Sequence, residues 1–177
     1  MSLFLAGQIV GGIAVLISIA IYQVDDRRKM LALASTAAML YALSFFMIHA
    51  YTGAILNFIG GIRTLTFMRS KSSSDSLKIY CLFGFMSALG TYITWAGPLS
   101  LLALAGTLMS ALSSGQLSTK LMRRAGLLAP PLWFSYNLLT RSYPGMFIEI
   151  FVVCSNFIGQ YRFDLKRSKN ILQSETD

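Results

Sequence analysis

Two asparagines open the question of what this chain can do. Asn57 and Asn156 head two copies of the tetrapeptide NFIG, and in both copies an arginine follows three residues after the glycine, at Arg63 and Arg162. Both asparagines stand inside long apolar stretches, where an amide must find a hydrogen-bonding partner or face a wet cavity. Lining a shared pathway, the pair could hold the hydroxyls or carbonyls of a polar solute. Bonded to neighbouring helices, each would only glue the packing.

Glu149 is the acidic residue set deep in an apolar segment. A carboxylate there must be paired, hydrated or protonated. It either binds a solute or carries a proton, or it salt-bridges Arg141 near a membrane surface. Trp133, Tyr136 and Asn137 follow Pro130-Pro131. Trp133 and Asn137 are four apart and share a helix face, where an aromatic plane beside an amide could hold a sugar or a heteroaromatic ring. The bland alternative is an aromatic anchor at the membrane edge. The two prolines should kink the helix and free carbonyls. Arg63 and Arg162 read as side chains that snorkel to the interface, and His49 as a solvated cap. Cys81 and Cys154 read as packing residues within spans, not as a disulfide or metal pair. Paired carboxylates, a histidine cluster, a nucleophile motif and a phosphate loop are all missing from the sequence. An enzyme is therefore not expected, and neither is a cofactor.

The elements that position these residues are membrane helices. The chain has 177 residues, 55% hydrophobic and 12% charged, about half the charged share of a soluble domain. Apolar stretches cover 3–22, 29–49, 52–69, 78–95, 97–113, 121–139 and 143–163. Crossing the hydrocarbon takes about 20 mainly apolar residues, with a lower limit near 17, and backbone in lipid favours helices. The first stretch reads as a retained helix, not a cleaved leader.

The net charge of +8 is placed in clusters: Arg27, Arg28 and Lys29; Arg69, Lys71 and Lys78; Lys120, Arg123 and Arg124; and Lys166, Arg167 and Lys169. The alternate connections carry only Arg141 besides His49. Basic residues collect on cytoplasmic loops, so the amino terminus is expected outside and the carboxyl terminus inside. That orientation requires an odd number of spans. The charge is thereby explained without nucleic acid. The partners implied are the lipid bilayer and a small polar solute, with a homo-oligomer left open.

The repeats fix the plan. LAG recurs at Leu5 and Leu104 and NFIG at Asn57 and Asn156, both displaced by 99 residues. Such internal symmetry marks a duplicated membrane unit. The expected fold is an all-α membrane protein of seven transmembrane helices. Residues 1–70 form a first three-helix unit, 71–96 a linker loop and fourth helix, 97–163 a second unit in parallel orientation, and 164–177 a cytoplasmic tail. At the far ends of spans three and seven the match is instead Tyr51-x-Gly53-x-x-x-Asn57 with Tyr143-x-Gly145-x-x-x-Glu149, displaced by 92. Span seven is therefore longer by about two turns. Gly7 and Gly11, with Gly106 and Ser110, are small-xxx-small packing patterns.

A further set of stretches runs along nearly the whole chain: LAGQIVGGIAVLIS from Leu5, DDRRK at 25–29, SFFMIHAYTG from Ser44, IRTL at 62–65, WFSYN at 133–137, GMFIE at 145–149 and Tyr161-Arg162-Phe163. In their order and spacing the sequence resembles the YgjV-type bacterial inner-membrane proteins. The resemblance implies a multi-pass protein of the bacterial inner membrane and brings no activity with it. The three-one-three plan also resembles the SWEET sugar transporters and PnuC vitamin transporters, more distantly, through Trp133-x-x-x-Asn137 and Gly159-x-x-Arg162. Tyr22-Gln23 stands where SWEET proteins carry a proline-glutamine pair, a departure at that family's hinge. The expected function is passive transport of a small, mostly uncharged polar solute, such as a sugar or vitamin-like molecule, by alternating access between two bundles, with Asn57, Asn156, Trp133, Tyr136, Asn137 and Glu149 around it. The alternative is a structural or regulatory membrane protein that binds lipid or a partner and transports nothing.

Overall fold

The computed structural model describes residues 2–165. The tail residues Lys166, Arg167 and Lys169 lie outside the described residues, so the last basic cluster is not placed. Among the described residues the chain is helical: α1 (Leu3–Ile21), α2 (Arg27–Met47), α3 (Tyr51–Phe67), α4 (Ser73–Ile93), α5 (Leu99–Ser114), α6 (Thr119–Ala125), α7 (Pro130–Leu139), α8 (Tyr143–Gly159), and a π-helical segment at Gln160–Leu165.

Local chemistry sets these boundaries. The Ser2 hydroxyl accepts from the Leu5 N–H at 3.2 Å, Asp26 Oδ1 from Lys29 N–H at 2.7 Å, and Ser72 Oγ from Asp75 N–H at 3.1 Å. Each satisfies an orphan donor of a first turn. The Ser72 cap starts α4 at Ser73, five residues before the apolar stretch. Gly97 turns at φ +85° ahead of Pro98 to launch α5.

Two corners share one backbone. His49 (φ 62°) ends α2 and Arg141 (φ 56°) ends α7, the two non-glycine residues of positive φ among the described residues. Behind each, the next N–H returns five residues: Ala50 N–H to Phe45 O and Ser142 N–H to Asn137 O, both 2.9 Å. The residue itself returns three, His49 N–H to Phe46 O and Arg141 N–H to Leu138 O. These are Schellman caps, 92 residues apart and identical in pattern.

The span expected over 121–139 is two helices. The chain leaves helical geometry at 126–129 and restarts with Pro130 and Pro131 in the first turn of α7. Proline has no N–H to give and would clash with the carbonyl four residues back, so it opens a helix where it cannot continue one. The expected kink is therefore a break.

α1 packs on α2 and α8, α2 on α3, α3 on α5, α5 on α7, and α7 on α8, which closes a ring of six helices. α4 lies against α3 and α5, and α6 against α5 and the π-helical segment. At one end, here the basic end, Arg27 Nε donates to Gln116 O at 2.8 Å and Arg27 Nη2 to Phe67 O at 2.9 Å, capping α5 and α3 with a cation. Ser76 Oγ donates to Gly115 O at the same end. At the opposite end, Thr52 Oγ1 donates to Thr94 O, and the Gly53 N–H donates to Tyr136 Oη at 2.8 Å.

Apolar side chains face outward: Leu16 and Phe85 are each 70% exposed, Tyr92 79% and Ile93 72%. The interior instead holds Ser18, Ser44, Ser87, Ser100, Thr91 and Thr107. Small polar residues inside and large apolar ones outside is the pattern of helices packed in lipid. Cys81 and Cys154 belong to the outward face, not to packing contacts. α1, α2 and α4 are long and apolar enough to cross a membrane, and α5 is a shorter apolar helix of the same character.

Candidate functional site

Two hydrophobic clusters bracket the interior. Phe45, Leu56, Ala103 and Tyr136 gather toward the opposite end; Met30, Leu31, Phe67 and Met122 gather toward the basic end. Between them lies a cavity of about 200 Å³, lined by Phe45 and Leu56 from the first and by Met30 and Met122 from the second. All six ring helices contribute to its wall.

Of the residues that the sequence nominates, the fold brings four to this wall: Asn57, Trp133, Asn137 and Glu149. Asn57 is half-buried on α3, and its Nδ2 donates to Gly53 O one turn back at 2.9 Å. Trp133 stands on α7 with its ring stacked on Phe45 (centroids 6.2 Å apart) and edge-on to Tyr136 (5.7 Å). It fits because α5 offers Gly106: a Cβ there would come within 2.9 Å of the indole Nε1. The matched Gly7 serves α2 in the same way, and the Ser44 hydroxyl donates to the Gly7 carbonyl at 2.7 Å. Asn137 is 2% exposed, donates from Nδ2 to Gly145 O at 3.0 Å, and keeps a buried Oδ1 without a hydrogen-bond partner. Gly145 accommodates that amide, since any Cβ there would run into it.

Glu149 sits on α8 facing the cavity. The expected salt bridge to Arg141 is not made. Arg141 is exposed at its corner, and both salt bridges among the described residues belong to Arg123. The pairing of Asn57 with Glu149, at displacement 92, puts matched residues of α3 and α8 on one wall.

Two nominated residues are placed elsewhere. Tyr136 is 2% exposed, behind the wall, where its hydroxyl accepts from Gly53. Asn156 is fully buried but does not line the cavity; its Nδ2 donates at 2.7 Å to Arg123 O, at the end of α6, and its Oδ1 accepts from Gln160 Nε2 at 3.2 Å. Because α6 stops short, its last carbonyls need donors, and Asn156 supplies one. The prolines signalled a kink but not the early stop of α6, and it is this terminus that gives Asn156 a partner Asn57 does not have.

Arg63 reverses its expectation. It does not snorkel: it is 3% exposed, turned inward beside Gly60, and lines the cavity. Its Nη1 donates to Thr107 O at 3.2 Å, while Arg63 Nε and Thr107 Oγ1 are buried without partners. Part of the signal was local, since Arg63 lies a full turn before the end of α3 beside Gly60, Gly61 and Thr64; the inner carbonyl of Thr107 that holds it is supplied by α5. Its counterpart Arg162 lies in the π-helical segment, exposed over the Phe163 ring at 5.2 Å. A π turn adds a residue per turn and rotates the face that follows, which separates the two arginines.

Sequence reading also missed Arg123, counted only as a basic-loop charge. It is fully buried, with Nη2 on Asp25 Oδ1 and Nη1 on Asp164 Oδ1, both at 2.8 Å, and Nη2 also on Val24 O at 3.1 Å. It ties the α1–α2 connection to α6 and to the end of the π-helical segment, closing the ring below the cavity.

No curated protein and no solved structure matches the chain. A family model described as Imp-YgjV, bacterial inner membrane protein, matches residues 5–167, nearly the whole length and every wall of the cavity. With its apolar helices and outward-facing hydrophobic surface, the chain belongs to the Imp-YgjV family of bacterial inner membrane proteins.

Proposed function

We propose that this protein is a facilitator that carries a small, mostly uncharged polar solute across the bacterial inner membrane, by rocking two three-helix bundles about the central cavity. In this reading the chain crosses seven times, with α6 and α7 together making the sixth crossing. The amino terminus is outside and the carboxyl terminus cytoplasmic. The units α1–α3 and α5–α8 run parallel, and α4 is the link between them.

Three features support the arrangement. The α2–α3 and α7–α8 corners have the same backbone at a displacement of 92. The neighbour pattern is two-fold: α1 with α2 and α8 corresponds to α5 with α7 and α3. Basic residues gather at the end that holds Arg27 and Arg123, the end expected to face the cytoplasm.

The observation that carries the transport reading is a cavity in the middle of a membrane helix bundle, walled by both units and holding polar groups with unused hydrogen-bonding capacity. A bundle whose only task was to pack would fill that space with methyl groups, since each unmet polar group costs about 1–3 kcal/mol. The rival, a structural or regulatory membrane protein, draws support from Asn156, whose amide is spent on α6.

Uptake of labelled solutes into liposomes decides between them. Purified protein is expected to raise flux of one solute class above that of empty liposomes, and Asn57→Ala and Trp133→Ala to lower it. Absence of flux across sugars, nucleosides, vitamins and amino acids would leave the structural reading.

A further inference from the structure

Two charged groups of the cavity have no ionic partner among the described residues. Toward the basic end stands Arg63, whose Nε has no partner and whose guanidinium meets no carboxylate of the described residues, with the Thr107 hydroxyl, able to donate or accept, on the facing helix. Toward the opposite end stand the Asn137 Oδ1 and the Glu149 carboxylate, which makes no hydrogen bond or ion pair with any described residue, and the Tyr41 hydroxyl is a further unpartnered group of the same wall. Counted from the starts of α3 and α8, Arg63 is twelve residues along and Glu149 six. At 1.5 Å per residue these levels differ by about 9 Å, and the Arg63 side chain, folded back beside Gly60, closes part of that gap. Arg63 and Glu149 therefore share one cavity without pairing to each other.

A buried cation and a half-buried carboxylate, each without an ionic partner among the described residues, are costly in a membrane interior. A solute that brings an anionic group to one and a cationic group to the other relieves both at once. A sugar would leave both charges unpaired. A monocarboxylate would leave Glu149 alone, and an amine would leave Arg63. The volume, about 200 Å³, leaves room for a small solute rather than a single water.

We propose that the cavity binds a small zwitterion, its carboxylate on Arg63 and Thr107 and its ammonium on Glu149 and Asn137 Oδ1, with Trp133 as the apolar wall beside its carbon chain. This deepens the transport reading by naming the solute class, and it rests on that reading only for the statement that the zwitterion crosses the membrane. The fork of Arg63 is suited to a carboxylate. A zwitterion carries no net charge, so its movement would be insensitive to membrane potential.

The test is a thermal-shift series on the detergent-purified full chain with alanine, leucine, 4-aminobutyrate, butyrate, butylamine and glucose. At least one zwitterion is expected to raise the midpoint, with butyrate, butylamine and glucose silent at the same concentration. Arg63→Gln and Glu149→Gln should each weaken zwitterion binding by roughly 10- to 100-fold, while eluting as the parent does on gel filtration. Arg63→Lys, which keeps the charge and loses the fork, should fall between parent and Arg63→Gln. Silence from every zwitterion overturns the proposal. So does a shift that survives Arg63→Gln, or stabilisation by glucose in parent and variant alike. Flux separates the two readings. A zwitterion that binds but does not enter liposomes removes transport and leaves the site, whereas glucose flux untouched by Arg63→Gln keeps transport and removes the zwitterion.

Discussion

Arg123 and Asp25 meet at 2.8 Å across 98 residues of chain, the arginine fully buried and the aspartate side chain 28% exposed. The same guanidinium reaches Asp164 at 2.8 Å and lies 4.8 Å from the Phe163 ring centroid. One side chain thus joins the first connection of the chain to α6 and to the end of the last helix.

Arg123→Ala is expected to cost about 3–5 kcal/mol, because it removes a fully buried guanidinium and both of its ion pairs. Asp25→Asn should cost no more than about 1 kcal/mol, its partner being retained by Asp164. Thermal unfolding of the purified protein checks both; equal effects would remove the central role given to Arg123.

Glycines that admit a neighbour should separate sharply from one that does not. A Cβ at Gly145 would strike the Asn137 amide, and one at Gly159 the Tyr22 carbonyl, whereas Gly12 has nothing within 4 Å. Gly145→Ala and Gly159→Ala are expected to lose about 1–3 kcal/mol each. Gly12→Ala should be neutral or slightly stabilising through helix propensity. Midpoints of the three variants measured side by side make the comparison.

The left-handed corners are a place to gain stability. A non-glycine residue there bears about 1–2 kcal/mol of strain. Arg141→Gly should recover about 0.5–1 kcal/mol of it, and Arg141→Val should lose about as much. At Gly97 (φ +85°), Ala should lower the midpoint. A destabilised Arg141→Gly protein would contradict the corner geometry.

Orientation can be read from single cysteines placed on the exposed residues His49, Arg141 and Lys120, with Cys81 and Cys154 replaced by serine. His49→Cys and Arg141→Cys are expected to react with a membrane-impermeant maleimide on intact spheroplasts. Lys120→Cys should react only after permeabilisation. The reverse pattern inverts the proposed topology.

What the sequence could convey depended on whether the signal was local. Apolar runs and caps such as Asp26 and Ser72 act on their own neighbourhood, so helix positions were legible within a few residues. The facing of Asn57, Asn137 and Glu149 followed from their spacing on single helices. What stayed hidden was set by distant partners. Asn156 looked like a second Asn57 until the early stop of α6 gave it a carbonyl to cap. Arg63 looked like a snorkelling cation until Gly60 and Thr107 offered it room and a carbonyl inside. Arg123 looked like a loop charge until two aspartates from opposite ends of the chain closed on it.

The interruption at 126–129 bears on how the protein enters the bilayer. The ten residues of α7 rise about 15 Å, roughly half the hydrocarbon thickness, and so short a segment cannot hold a transmembrane position by itself. In the proposed topology it is expected to rest at the interface until α8 emerges and the two enter together as a hairpin against α5 and α1. Insertion of α7 is thereby tied to completion of α8, and a nascent chain halted before Tyr143 is expected to leave α7 at the membrane surface.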